Sequence, residues 1–132
     1  MKINLLSLLA LALLAGCHAR GLATKTVMVY ESRNALQCET SGIQPAESAA
    51  RLSIADIEVM ETHCGQRTGV AYPAACGMGT PAILVHTIAE ADLDAAKQAG
   101  FQPVADLVNN ENAMGYELIA CKEGARPNSQ LQ

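Results

Sequence analysis

Apolar residues along this chain fall in short runs, and the glycine, proline and polar clusters between them mark out its elements. Thr26-Val27-Met28-Val29-Tyr30-Glu31 is rich in β-formers and predicts a strand buried on both faces. Ser32 to Gln44 is polar, contains glycine and predicts a loop holding Cys38. Pro45 stands where a first helical residue is favoured, and Ala46-Glu47-Ser48-Ala49-Ala50-Arg51-Leu52 continues the helix. Ala46, Ala49, Ala50, Ser53 and Ile54 predict one weakly apolar face on it. Ile57 to Cys64 alternates Ile57, Val59 and Glu61 against Glu58, Met60 and Thr62, which predicts a strand with one face partly apolar. Gly65 to Thr80 reads as a glycine-rich loop, and Ala82-Ile83-Leu84-Val85-His86-Thr87-Ile88 is the clearest strand. Ala89 to Ala99 is the clearest helix: Glu90, Asp92 and Asp94 suit its positive end, and Lys97 lies near the other. Gly100 occupies the position of a left-handed cap. Pro103 to Val108 predicts a short strand, Asn109 to Asn112 a turn and Gly115 to Cys121 a last strand. Gly124 to Gln132 is a polar tail with nothing to order it.

This order, β-α-β-β-α-β with an appended strand, predicts an α+β fold, a ferredoxin-like split βαβ sandwich with an extra C-terminal strand. In that topology strands one and two point up, strands three and four down, and a fifth paired to the fourth rises again. Cys38, Cys64, Cys76 and Cys121 would then gather toward one end of the sheet.

The first seventeen residues stand apart. Lys2 gives a positive start, Ile3 to Leu14 is apolar except for Asn4 and Ser7, and Leu14-Ala15-Gly16-Cys17 closes the run. About a dozen residues of helix fall well short of the roughly 30 Å of hydrocarbon in a bilayer, so the run predicts a secretory leader better than a transmembrane span. Leu14-Ala15-Gly16-Cys17 resembles the lipobox of bacterial lipoproteins. The resemblance implies diacylglycerol on the Cys17 thiol, cleavage before Cys17 and acylation of the new amine, which together give stable membrane anchoring. The alternative is a simple signal peptide cut after Gly21-Leu22-Ala23, releasing a free periplasmic protein. His18 follows the cysteine where an aspartate would favour inner-membrane retention, so the resemblance implies the outer membrane, facing the periplasm. The chain therefore divides into a lipoprotein signal peptide (1–16), a lipidated cysteine with its tether (17–25), one α+β domain (26–123) and the tail (124–132).

Export changes the meaning of the cysteines. Cys38, Cys64, Cys76 and Cys121 form an even set in an oxidising compartment, and two structural disulfides are expected. Four cysteines allow three pairings; the topology above makes Cys64–Cys76, flanking one hairpin loop, the local pair and leaves Cys38 for Cys121. Composition removes other classes. The net charge is −4 with scattered basic residues, which excludes nucleic acid as a partner. One Phe, three Tyr and no Trp leave few stacking platforms for bases or sugars.

Little catalytic chemistry is readable. No Cys-x-x-Cys pair, nucleophile elbow or phosphate-cradling loop is present. Glu58 and Glu61 fall on opposite faces of the expected strand, and Cys76-Gly77-Met78-Gly79-Thr80 leads into Pro81 and a strand instead of a helix. Ser41-Gly42, followed by Ile43-Gln44-Pro45, does not match the tyrosine motif of small lysozyme inhibitors. The sequence thus predicts no enzyme and no cofactor. The remaining candidate is a rigid loop end presenting Arg33, Arg67, Tyr72 and Met78, with the membrane as one partner through Cys17 and an envelope protein as another. A competing reading gathers His63, Cys64, Cys76 and His86 as a zinc or copper site of a metal-binding or thiol-redox accessory protein.

Overall fold

The computed structural model describes residues 23–121. The leader (1–16), Cys17 with the first part of its tether, and the tail (124–132) lie outside the described residues. Seven elements follow in chain order: β1 (Thr26–Ser32), α1 (Pro45–Ile54), β2 (Glu61–Thr68), β3 (Ala82–Ala89), α2 (Leu93–Gln98), β4 (Gln102–Pro103) and β5 (Gly115–Ile119). Tight 3-10 turns intervene at Glu90–Asp92, Val104–Leu107 and Asn110–Asn112. The fold is α+β, a five-stranded sheet in the order β4-β1-β3-β2-β5, antiparallel at every pairing. Among the described residues no helix is long and apolar enough to cross a membrane.

The apolar run Ala82–Ala89 takes the centre because it can bury both of its faces. Alternation assigns Leu84, His86 and Ile88 to one face and Ile83 and Val85 to the other. On the first face Val29 and Ile88 pack against Leu52 of α1, Ala96 of α2, Ile57 and Phe101. On the second, Ile83 and Val85 pack beneath Val104 and Leu107, with Met28, Tyr30 and Tyr116 at the margin.

Both helices close with the same hydrogen-bonded turn. At α2 the Gly100 and Phe101 amides donate to the Lys97 and Ala96 carbonyls, with Gly100 at φ +96° as a left-handed cap requires. At α1 the Asp56 and Ile57 amides donate to Ser53 and Leu52, and Asp56 takes the left-handed position at φ +59°. Phe101 and Ile57, the residues thrown back by these turns, both enter the core.

Several sequence expectations change. Ile57 completes the α1 cap, so β2 starts only at Glu61 and runs on through Thr68 into the expected loop. The buried side of α1 is Ser48 and Leu52, while Ile54 is 83% exposed, because Ser48 finds polar partners on the sheet. The helix expected from Ala89 opens as a 3-10 turn and becomes α-helical only at Leu93. Of the strand expected over Pro103 to Val108 only Pro103 pairs, together with Gln102 before it, and the chain then coils over the sheet as the Val104–Leu107 turn. With so short a fourth strand, β5 pairs not with β4 but with the free edge of β2. Since β2 points up, β5 points down, and Cys121 leaves the sheet at the end opposite the Cys38 and Cys76 loops.

Candidate functional site

That reversal decides the disulfides. Cys64 lies opposite Ile119, so Cys121 arrives beside it and the two are bonded, with Cα atoms 5.1 Å apart. Cys38 is bonded to Cys76, also at 5.1 Å. The expected Cys64–Cys76 and Cys38–Cys121 pairs are replaced, because β5 runs opposite to the direction that favoured them.

Cys38–Cys76 joins the β1–α1 loop to the β2–β3 loop, and main-chain bonds reinforce the junction. Gln37 N–H donates to Met78 O and Gly77 N–H to Gln37 O, both at 2.9 Å, and Thr80 N–H donates to Ala35 O at 3.2 Å. Leu36 bridges to Thr40 and to Gly79, and the Gln37 side-chain Nε2 donates to Pro73 O. Of the four residues expected at this end, Met78 is 43% exposed, and Tyr72 and Arg67 are half-buried. Arg33 is 6% exposed and not on display. It lies under the loop, its Nε donating to Ile43 O at 3.0 Å while Ile43 N–H donates back to Arg33 O at 2.7 Å. Gly42 permits this: a β-carbon there would come within 1.9 Å of Arg33 O. The second guanidinium nitrogen, Nη1, stands 4.0 Å from Cys64 Sγ, and Nη2 has no partner among the described residues.

The metal set does not assemble. Cys64 and Cys76 are spent in different disulfides, and His63, beside Glu61 at 3.3 Å, is on the surface while His86 is fully buried. Among the described residues no three His, Cys, Asp or Glu side chains are placed to hold a metal ion.

A different cluster forms where α1 crosses the sheet. Ser48, Arg51 and Leu52 share one helical face by their spacing, and beneath them lie Glu31 of β1, His86 of β3 and Thr62 of β2. The Ser48 hydroxyl donates to Glu31 Oε1 and lies 2.7 Å from His86 Nε2. His86 Nδ1 is 2.9 Å from Thr62 Oγ1, and Arg51 pairs with the other Glu31 oxygen. Proton counting fixes one direction. An ionised Glu31 only accepts, so the single Ser48 proton points to it, and His86 Nε2–H donates to Ser48. Thr62 then donates to Nδ1, and a neutral His86 satisfies every member of the chain. Phe101 meets the imidazole edge-on at 5.7 Å and carries the Arg51 guanidinium 5.3 Å above its ring. Burial lowers the His86 pKa below its ordinary 6.5; Glu31 opposes the shift and His63 adds to it.

A serine beside a histidine invites comparison with a catalytic pair, but the roles differ. In acyl transfer the carboxylate orients the histidine and the histidine takes the serine proton. Here the carboxylate holds the serine, threonine holds the histidine, and Ser48 and His86 are both 0% exposed. The arrangement is chemically a satisfied polar core. Sequence reading missed it because its members come from four elements and each has an ordinary local role; the one signal was a histidine inside the most apolar strand.

No protein-family profile, no curated protein and no solved structure matches this chain.

Proposed function

We propose that this chain is a lipid-anchored envelope protein, held at the membrane through Cys17 and facing the periplasm from the outer membrane. It acts by binding an envelope protein and not by catalysis. We read β1-α1-β2-β3-α2-β4, with spatial order 4-1-3-2, as a ferredoxin-like unit to which β5 is added. The observation that carries the proposal is the Cys38–Cys76 bridge, which locks two loops into one braced platform. A disulfide fits an oxidising compartment, in agreement with the lipobox-like leader, and a rigid loop surface loses little entropy on binding. Tyr72 and Met78 are the side chains this platform offers, with Arg67 at its margin.

Intact mass of the membrane-extracted protein, with and without reductant, tests the anchor and the staples together. The expected product starts at Cys17, carries three acyl chains and gains mass on reduction by two bridges. An unmodified chain starting after Ala23 would sink the anchor, and free Cys64 and Cys76 thiols would bring the metal or redox reading forward. The binding role is tested with a photo-crosslinker at Met78 in intact cells. One discrete adduct, lost when Cys38 and Cys76 are both replaced by Ser, supports the platform; an adduct indifferent to that replacement refutes it.

A further inference from the structure

The two edges of the sheet are not equivalent. In an antiparallel ladder, alternate residues turn both main-chain groups toward the same neighbour. Arg33 N–H donates to Ala82 O, which places the odd-numbered residues of β1 toward β3 and leaves Tyr30 to pair with Gln102. Pro103, opposite Val29, therefore sits with its nitrogen on the outer side, where it has no N–H to give. That edge is two residues long and closed by proline, two common protections against strand addition.

The β5 edge has neither. Arg67 N–H donates to Pro81 O, so the odd residues of β2 face β3 and the even ones face β5. Tyr116 and Leu118, opposite Arg67 and Gly65, must then point their N–H and C=O groups outward. Among the described residues nothing pairs with them. Leu118 is 46% and Ile119 40% exposed, on opposite faces of the sheet, so an added strand would cover apolar surface above and below. The Cys64–Cys121 bridge holds the end of this edge against β2, which lowers the ordering cost of docking there.

We propose that β5 pairs with β5 of a second copy, antiparallel about a two-fold axis at Leu118. Charge and register select this arrangement. An axis at Glu117 would set two carboxylates directly opposite, which is destabilising. An axis at Leu118 sets Leu118 against its own copy, Tyr116 against Ala120 and Glu117 against Ile119. Every outward-facing residue then meets another, and Glu117 stays with Gln66 of its own β2. The interface uses the same patch on both copies, as a closed two-fold dimer requires, and joins the sheets into one of ten strands. It is independent of the anchor and of the loop platform.

Sedimentation of the full chain in density-matched detergent, across a concentration series, tests the proposal. The expected result is a reversible monomer–dimer equilibrium. Leu118→Pro deletes the two donors that cross the axis but none used by β2, and should raise the dimer dissociation constant about tenfold or more. Circular dichroism and both disulfides should stay unchanged. Leu118→Lys keeps the backbone, opposes two cations on the axis and should weaken the dimer similarly; it decides the matter if the proline variant does not fold. A chain monomeric at every concentration overturns the proposal and leaves the edge to a strand of another protein. A dimer that neither substitution weakens overturns it too.

Discussion

Replacing Ser48 by Ala removes one oxygen from a fully buried polar cluster, and the cost follows from what that oxygen does. It donates to a carboxylate, an interaction of about 1.5–3 kcal/mol, and it is the acceptor for His86 Nε2–H. With Ser48 and His86 both 0% exposed, water does not take over, and an unsatisfied buried donor costs about 1–3 kcal/mol more. Alanine is the better helix former by at most about 0.7 kcal/mol, which offsets a little. The net expectation is a loss of about 2–5 kcal/mol, a large part of the roughly 5–15 kcal/mol that keeps a domain folded. Ser53 supplies the control on the same helix. Its hydroxyl bonds to Ala49 O at the surface, so Ser53→Ala should change stability by no more than about 0.5 kcal/mol. Urea unfolding of the oxidised protein, followed by circular dichroism, gives the comparison through the midpoint at unchanged slope. Equal midpoints for Ser48→Ala and Ser53→Ala would refute the reasoning, because the buried bonds of Ser48 to Glu31 and His86 would then contribute nothing beyond a surface hydroxyl.

Three further predictions concern the buried charges and the disulfides. His86 is neutral in the fold with its pKa below 6.5, so the unfolded chain binds the extra proton first. Stability should be complete above about pH 6.5 and be lost as the pH falls toward the lowered folded value; a urea midpoint flat between about pH 7.5 and 5.5 would contradict this. Arg33→Met fills the same space and removes a buried cation, one of whose nitrogens has no partner among the described residues, against the loss of its bond to Ile43 O; it should stay within about 1 kcal/mol of the native protein, whereas Arg33→Ala leaves a void and should cost about 2 kcal/mol or more by thermal or urea unfolding. Peptide mapping should recover Cys38 with Cys76 and Cys64 with Cys121. Limited reductant should open Cys38–Cys76 first, since both its residues are exposed while Cys64 is 2% exposed; a recovered Cys64–Cys76 peptide would overturn the strand order itself.

Legibility in the sequence followed the source of each element's stability. Thr26–Ser32 and Ala82–Ala89 were readable because their own side chains fill the core, and Gly100 was readable because a left-handed cap leaves a local mark. Glu61–Thr68 was not, since a strand reading Glu-Thr-His-Cys-Gly-Gln-Arg-Thr has almost no apolar period; it is a strand because ladders on both sides take its main chain. The same holds for α1. Alanine spacing suggested one face, but the face that packs carries Ser48, whose burial depends on Glu31 and His86 arriving from two other strands. Polar cores are invisible to hydrophobic periodicity because the pattern is satisfied only between elements, never within one.

The disulfides carry this point furthest. That all four cysteines pair agrees with the expectation from their even number, but the partners differ from those expected. Pairing is decided by where β5 docks, and β5 had two edges to choose between. The β4 edge looked available while Pro103 to Val108 was read as a strand. Pro103 cannot donate on its outer side, and from Val104 the chain turns over Ile83 and Val85, where its apolar residues are buried. β2 offered a full ladder instead, in register from Thr68 opposite Gly115 to Cys64 opposite Ile119. Because β5 pairs antiparallel there, it runs down the sheet and brings Cys121 beside Cys64, while Cys38 and Cys76 join across the loops. A two-residue strand thus determines which loops are braced, and with them the surface through which the domain is proposed to act.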